Sequence, residues 1–168
     1  MAAIEATIRT RLYQMLAKTN TSASWGFTAS HITKHVPPSW PVDKGITIEV
    51  ESEDRGGRDH YTQYYSSAYR TLTVKLGVFW GNVLPETRGD NIETKLSLVT
   101  EAIEQSTYLL TGLDSASAYA TGDGQEVFDF IDVTAINKQY DGAYAIGGTI
   151  TMQFMYSHTW QKDTTITL

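Results

Sequence analysis

Apolar side chains recur at helical spacing in the first part of the chain. The recurring positions are Ile4, Ile8, Leu12 and Met15, at intervals of four, four and three residues. Such intervals place the side chains on one face of an α-helix. A run of Thr, Asn and Ser begins at Thr19 and interrupts the pattern. The sequence therefore predicts an amphipathic helix over residues 4–18.

Residues 19–44 have neither helical nor strand periodicity, and we expect a long loop. The segment contains Trp25, Phe27 and Trp40, together with the pair Pro37–Pro38. Loops of this length are uncommon inside a compact domain and are often functional. Two interpretations stay open. The aromatic side chains pack on the core of their own chain, or they become ordered when the protein assembles.

Alternation of apolar and polar residues begins at residue 45 and predicts a strand over residues 45–53. One face carries Ile46, Ile48 and Val50, and the other carries Thr47, Glu49, Glu51 and Glu53. Residues 54–59 contain two adjacent glycines and predict a turn. A longer alternating strand follows over residues 62–80. We expect these strands to form an antiparallel hairpin with a long polar tip.

A second helix and a second hairpin complete the pattern. Asp90 and Glu93 have the spacing of a capping box, so the helix is predicted to begin at Asp90 and to stop at Gly112. Strands are predicted over residues 127–136 and 143–156, joined by a turn at Asp141–Gly142. Residues 157–168 are expected to form a polar tail.

These elements predict a single domain over residues 1–168 of the α+β class. Each helix has one apolar stripe and each strand has an apolar face, so both helices can cover the same side of the sheet. The expected architecture is a four-stranded, mainly antiparallel sheet with two helices packed on one face.

The composition excludes several kinds of chemistry. The 168-residue chain has no cysteine, which rules out disulfides, thiol nucleophiles and thiolate metal sites. Its formal net charge of −6 argues against a broad nucleic-acid-binding surface. No apolar run fits a transmembrane helix, and the first residues lack the pattern of a signal peptide. We expect a soluble, intracellular protein that does not bind membranes.

No group of residues has the spacing of a known catalytic or metal site. His31 and His35 are four residues apart but have no adjacent third ligand, so they are interpreted as exposed loop histidines. His60 lies beside Asp59, but no nucleophile-elbow pattern accompanies them. The chain is therefore predicted not to be an enzyme and to use no cofactor or metal.

Acidic residues cluster along the first predicted strand, at Glu49, Glu51 and Glu53, with Asp54 next to them. Like charges at this spacing repel one another. One interpretation is a solvated strand face. The other is a surface that is negative for a purpose, such as the wall of a channel that must not bind DNA.

Tyrosine is concentrated around the start of the second strand, at Tyr61, Tyr64, Tyr65 and Tyr69. This residue is enriched at protein interfaces because it offers apolar area with a polar tip. Packing across the sheet of one chain is the alternative. An interface between subunits is favoured because this stretch extends beyond the first strand and leaves an edge to be protected.

The order and length of these elements resemble the tail terminator, or tail completion, proteins of long-tailed bacteriophages. The resemblance covers nearly the whole chain and lies in element order rather than in a diagnostic motif. Its parts are the helix 4–18, the loop with Val36-Pro37-Pro38, the strands 45–51 and 70–79, the helix 91–110, and the final hairpin 127–136 and 148–156.

The resemblance implies a homohexameric ring that sits on the last ring of the tail tube and ends its polymerisation. The opposite side of the ring would join the neck, or head-completion, protein, and DNA would pass through the lumen without specific binding. Such a protein is assembled in the host cytoplasm and resides in the tail–neck region of the virion. The lumen candidates are Glu49, Glu51, Glu53 and Asp54. Candidates for ring and tube contacts are Arg55, Arg58, Tyr61, Tyr64, Tyr65, Tyr69, Trp25, Phe27 and Trp40.

Two other classes remain open. A tail tube subunit or a head–tail connector subunit shares the logic of stacked rings, but a tube subunit polymerises where a terminator stops at discrete rings. A small-molecule-binding α+β domain would instead need a concave pocket with convergent polar groups.

Overall fold

The structure is a computed structural model that describes residues 2–23, 25–35, 44–61, 65–81, 85–112, 128–141 and 144–161. Its helices are α1 (Ala2–Ala23), α2 (Pro85–Glu104) and α3 (Thr107–Thr111), and a 3-10 turn spans Ala29–His31. Its strands are β1 (Ile32–Thr33), β2 (Lys44–Tyr61), β3 (Tyr65–Trp80), β4 (Phe130–Asp141) and β5 (Tyr144–Gln161).

The described strands form one mixed sheet in the order β1-β2-β3-β5-β4. β1 runs parallel to β2, and the other neighbouring pairs are antiparallel. The prediction of a four-stranded, mainly antiparallel sheet with two helices is therefore wrong, because the described residues form five strands and three helices. β1 was missed because two residues are too few to show alternation, and its pairing with Ile46 and Thr47 depends on tertiary contact.

The predicted second helix is in fact two helices. α2 begins at Pro85, ahead of the predicted cap at Asp90. Proline suits the first position of a helix because no N–H is needed there. The chain turns after Glu104, where the amide of Ser106 donates to the carbonyl of Ile103 at 3.2 Å. The predicted stop at Gly112 is confirmed, since this residue ends α3 in a left-handed conformation with φ 65°.

Several elements are longer than the sequence pattern predicts. β2 runs on to Tyr61, so the turn predicted at residues 54–59 is wrong, and β4 continues past residue 136 to Asp141. α1 continues beyond residue 18 to Ala23. β5 continues into the predicted polar tail as far as Gln161, where its ladder with β3 reaches Tyr65. Backbone pairing extends a strand through polar residues that have no alternation of their own.

All three helices supply side chains to a core on one face of the sheet. The helices bury Ile8, Leu12, Met15, Leu16, Ile92, Leu96, Val99, Ile103, Tyr108 and Leu109. The strands bury Ile46, Ile48, Leu72, Val74, Leu76, Val78, Ile150, Met152, Phe154 and Tyr156. These residues belong to one contiguous cluster, so the described helices cover the same side of the sheet.

Gly148 allows α2 to approach the sheet closely. A Cβ atom at this position would lie 2.7 Å from Leu96 Cδ1 and 2.8 Å from the backbone oxygen of Asn137. The leucine can move, but the backbone of β4 cannot without distorting its pairing with β5. We expect Gly148→Ala to lower the free energy of unfolding by about 2 kcal/mol in urea denaturation, because overpacking strains the core. Ser157→Ala, at an exposed position of the same strand, is the control and should change stability by less than about 0.5 kcal/mol.

Candidate functional site

The sheet has a second face that no described helix covers. Along residues 71–78 of β3 and 149–156 of β5 the core-facing residues are buried, whereas the alternate residues are only half-buried. We call this second side the uncovered face. Its described residues include Thr71, Thr73 and Lys75 of β3, Thr149, Thr151 and Gln153 of β5, and Asp132 and Asn137 of β4. Thr47 of β2 also lies on this side but is buried, at 4% exposure.

Three of the predicted lumen residues lie on the uncovered face. Glu49 is exposed and pairs with Lys75 across the β2–β3 ladder, and Asp54 is exposed and pairs with Thr71. Glu51 is exposed, and its Oε1 atom accepts from Lys75 Nζ at 2.5 Å. An exposed ion pair contributes only about 0–1 kcal/mol to stability. These carboxylates therefore determine the charge of the face more than the stability of the fold.

Glu53, the fourth predicted lumen residue, lies on the opposite side of the sheet. The register shifts between Val50 and Ser52, so Glu51 is an extra residue in a β-bulge. After the bulge, Glu53 pairs with Leu72, a residue of the core. Directly paired residues of antiparallel strands point to the same face. The strict alternation predicted for residues 45–53 is therefore wrong beyond Val50.

Glu53 belongs to a polar cluster at the rim of the core. Arg70 Nη1 lies 3.6 Å from Glu53 Oε2, and the two side chains are only 11% and 13% exposed. The hydroxyl of Tyr156 donates to Glu53 Oε1. Tyr156 also packs edge-on against Phe128, with ring centroids 6.0 Å apart. This carboxylate is bound by its own chain and is not available to a lumen.

Two of the aromatic residues predicted for ring or tube contacts lie in the core. Trp25 and Phe27 are 2% and 5% exposed. The ring of Phe27 meets that of Trp80 edge-on, with centroids 5.0 Å apart. Of the two interpretations left open for the long loop, these two side chains follow the first, packing on their own chain. Trp40 lies outside the described residues.

Two lysines lie close to the Trp80 ring of this aromatic pair. The ammonium groups of Lys44 and Lys95 lie 4.6 Å and 4.8 Å from the centroid of the Trp80 ring. Burial lowers the pKa of Lys95, and the nearby cation of Lys44 adds to the shift. Both ammonium groups are therefore placed for cation–π contact with Trp80.

The remaining contact candidates lie in or beside the β2–β3 hairpin. Arg55, Arg58 and Tyr61 are in the distal part of β2, and Tyr65 is the first residue of β3. Tyr64 lies outside the described residues. Tyr69 is 53% exposed and lies on the uncovered face.

An apolar patch that the sequence pattern did not predict lies at the hairpin end of the uncovered face. Phe130, at the start of β4, is 52% exposed and pairs with Met155 of β5. Tyr69 pairs with Ser157, two residues from Met155 along the same strand, so it is a diagonal neighbour of that methionine. We call Tyr69, Phe130 and Met155 the apolar patch. Phe130 alone gave no signal, since it lies in a stretch that is apolar on both faces.

The described histidines do not form a metal site. The imidazole of His31 accepts a hydrogen bond at Nδ1 from the backbone amide of Thr28, at 2.9 Å, and so closes the 3-10 turn. Among the side chains that the structure describes, no three His, Asp or Glu residues are grouped to hold a metal ion. None of the described helices is long and apolar enough to cross a membrane.

In comparisons with known proteins, no protein-family model matches this chain, and no curated protein matches its sequence significantly.

Proposed function

We propose that this chain is a subunit of a closed ring that caps the tail tube of a long-tailed bacteriophage and joins it to the neck. The ring would contact the tube protein on one side and the neck or head-completion protein on the other, with DNA passing through the lumen. On the resemblance of the chain to tail terminators, the ring has six copies.

The observation that carries this proposal is the uncovered face. Four long strands present a broad surface of threonine, glutamine and carboxylate side chains with no described helix over it. Single antiparallel sheets use such a face toward water while the other packs on the core. A set of subunits arranged with this face inward would enclose a wide, water-filled lumen.

The charge of the uncovered face suits the passage of DNA. Its described acidic residues include Glu49, Glu51, Asp54 and Asp132, whereas Lys75 is held by Glu51. Duplex DNA binds proteins mainly through phosphate contacts with unpaired basic side chains. A wall with this charge repels phosphate, so DNA can move along it without being retained.

The hairpin end of the face offers a means of stacking on another ring. The apolar patch lies there, next to the distal part of the β2–β3 hairpin. Exposed apolar residues on an otherwise polar surface mark contact sites. If the ring contacts the tube at this end and presents a different surface at its other end, it can bind the tube and leave no site for a further tube ring. Growth of the tube then stops.

The proposal predicts discrete rings. We expect gel filtration with light scattering to give a single ring mass of about six subunits, with annular particles in negative-stain images. A monomer at protein concentrations up to about 1 mM would contradict the proposal. Tubes that lengthen with concentration would instead indicate a tail tube subunit.

A charge-reversal variant tests which face lines the lumen. We expect Glu49→Lys/Glu51→Lys/Asp54→Lys rings to retain linear duplex DNA at low salt but not closed circular DNA, because only a free end can be threaded. The control, Glu5→Lys/Glu101→Lys/Glu104→Lys, carries the same charge change on the helical side and should bind both DNA forms alike. Equal binding of linear and circular DNA by the first variant would place these residues outside a lumen.

A further inference from the structure

A groove runs between α2 and β4 on the helical side of the sheet. Its volume is about 400 Å³. It is lined by Glu93, Leu96, Ser97, Thr100, Glu101 and Glu104 of α2 and by Ile136 and Lys138 of β4. The lining residues of α2 recur at helical spacing and form one stripe beside its core-facing residues.

The floor of the groove is apolar and incompletely covered. Ile136 is 46% exposed, although its partner in the ladder, Ile150, is fully buried. The difference arises because β4 is the last strand of the described sheet and α2 packs mainly over β5. Ile136 therefore presents an aliphatic surface that a ligand could cover, and burial of such a side chain stabilises a complex.

A buried hydroxyl group in the groove has no hydrogen-bond partner among the described residues. Thr100 is only 9% exposed, and its Oγ1 atom makes no hydrogen bond there. A buried hydroxyl without a partner costs about 1–3 kcal/mol. Helical threonines commonly avoid this cost by bonding to a carbonyl of the preceding turn. The unpartnered hydroxyl of Thr100 marks a position where a ligand can donate or accept.

The rim of the groove is negatively charged. Glu93 is bonded to Lys138, and this hydrogen bond raises the pKa of the Lys138 amine. Among the described residues, Glu101 accepts from an uncharged donor, Gln105 Nε2, at 3.0 Å. Glu104 is exposed on the same stripe. The described lining thus contains three carboxylates and one ammonium group, and it favours a cationic ligand.

The groove is bordered by a free sheet edge. No strand of the described residues pairs with the outer side of β4, which is 12 residues long. An unpaired edge offers a row of backbone donors and acceptors to an added strand. When a helix lies beside such an edge, the groove between them contacts alternate side chains of the added strand and so determines which sequences bind.

We propose that this groove binds an extended segment of a partner protein, in which lysine or arginine alternates with an aliphatic residue on one face. The segment adds to β4 as a strand. Its aliphatic side chain covers Ile136, and its cation lies against Glu101 and Glu104. A second copy of this chain that adds through the part of β2 beyond its pairing with β1, turned so that its uncovered face meets α2, is a poor occupant, because Glu49, Glu51 and Asp54 would bring further negative charge to the rim.

The inference is independent of the proposed ring. It uses only α2 and β4, whereas the ring proposal uses the uncovered face and the hairpin end. A monomer that binds the segment would support the groove and contradict the ring. A ring that does not bind the segment would support the ring proposal and contradict the groove.

The probe is a fluorescent heptapeptide, Lys-Thr-Ile-Thr-Lys-Thr-Ile, whose Lys and Ile side chains share one face when it is extended. We expect binding to the full-length protein at peptide concentrations of about 10–100 µM by fluorescence anisotropy. Amides of β4 should also exchange with deuterium more slowly in the complex. A matched peptide with Glu in place of each Lys should not bind.

Two groove variants and one control variant test whether the peptide binds in the groove. Glu101→Lys/Glu104→Lys should weaken binding at least about tenfold, because these exposed residues set the charge of the rim. Thr100→Val should weaken it about threefold while leaving the free protein at least as stable, since a buried unpartnered hydroxyl is removed. Asp129→Lys/Asp132→Lys makes the same charge change at two exposed positions before and within β4, outside the groove lining, and should leave affinity unchanged.

Three results would overturn the proposal. These are no binding up to about 1 mM peptide, equal binding of the Lys and Glu peptides, and equal loss of affinity in the groove variant and in the Asp129 and Asp132 control.

Discussion

Replacing Arg11 with alanine is expected to lower the free energy of unfolding by about 3 kcal/mol in urea denaturation, because it removes charged hydrogen bonds and leaves a cavity. Arg11 is 2% exposed although the other side chains of α1 that are described as buried, Ile8, Leu12, Met15 and Leu16, are apolar. Its Nη1 atom donates to the carbonyls of Leu109 and Leu110 at 3.0 Å and 2.9 Å. The guanidinium carbon also lies 5.8 Å from the centroid of Phe128.

The large loss of stability expected for Arg11→Ala depends on the contact of Arg11 with the short helix α3. The last carbonyls of a helix have no partner within it and carry partial negative charge. Arg11 satisfies two of them with one planar cation and thereby ties α1 to α3. Without it, the buried carbonyl of Leu109 would lose a charged donor. Packing of the guanidinium against Phe128 would be lost as well.

Two further substitutions separate this role from a general effect of charge. Arg11→Lys keeps the cation but offers a compact ammonium group in place of the flat guanidinium, so we expect an intermediate loss of about 1–2 kcal/mol. Arg9→Ala removes an arginine of the same helix that is less buried than Arg11, with its side chain 23% exposed and 3.9 Å from Glu5. This control should change stability by less than about 0.5 kcal/mol. A loss in Arg11→Ala no larger than in the control would contradict the role assigned to Arg11.

The second large effect is expected at Glu53. Glu53→Ala should lower the free energy of unfolding by about 2 kcal/mol, because it leaves the mostly buried guanidinium of Arg70 without its carboxylate. The hydroxyl of Tyr156 would also lose its acceptor. Both charged side chains retain some exposure, at 11% and 13%, and solvent reduces the loss below that of a fully buried pair.

The matched control is Glu49→Ala, four residues earlier on the same strand. Glu49 is exposed on the uncovered face, so its replacement should change stability by less than about 0.5 kcal/mol. Equal effects of the two substitutions would mean that the bulge at Glu51 does not separate their environments. The comparison therefore tests the register of β2 directly by chemical denaturation.

The sequence alone predicted the parts of the fold that depend on local periodicity. The apolar stripe of Ile8, Leu12 and Met15 identified α1, and these side chains are buried. The alternation in residues 72–78 and 150–156 identified the two central strands and their core faces. Gly112 ended a helix as predicted, because a left-handed residue after the last turn is a local requirement. Each of these features depends on residues that are close together in the sequence.

The candidate site was only partly predictable for a related reason. Composition and alternation found the acidic residues of β2 but could not place the bulge that turns Glu53 toward Arg70 and Tyr156. A bulge is decided by how two strands pair, and the partner residues are distant in the chain. Trp25 and Phe27 illustrate the same limit. The sequence of a loop does not distinguish an aromatic side chain that is buried in its own chain, as these two are, from one that is exposed to contact a partner.

The sequence by itself determined the apolar core positions of α1 and of the two central strands, the helix stop at Gly112 and the absence of cysteine chemistry, since these follow from residue types and short-range spacing. Only the tertiary structure decided the fifth strand and its parallel pairing, the burial of Arg11, and the groove between α2 and β4. These features arise where segments far apart in the chain meet. Their energies come from pairing, desolvation and packing between elements, and such terms leave no period in the sequence.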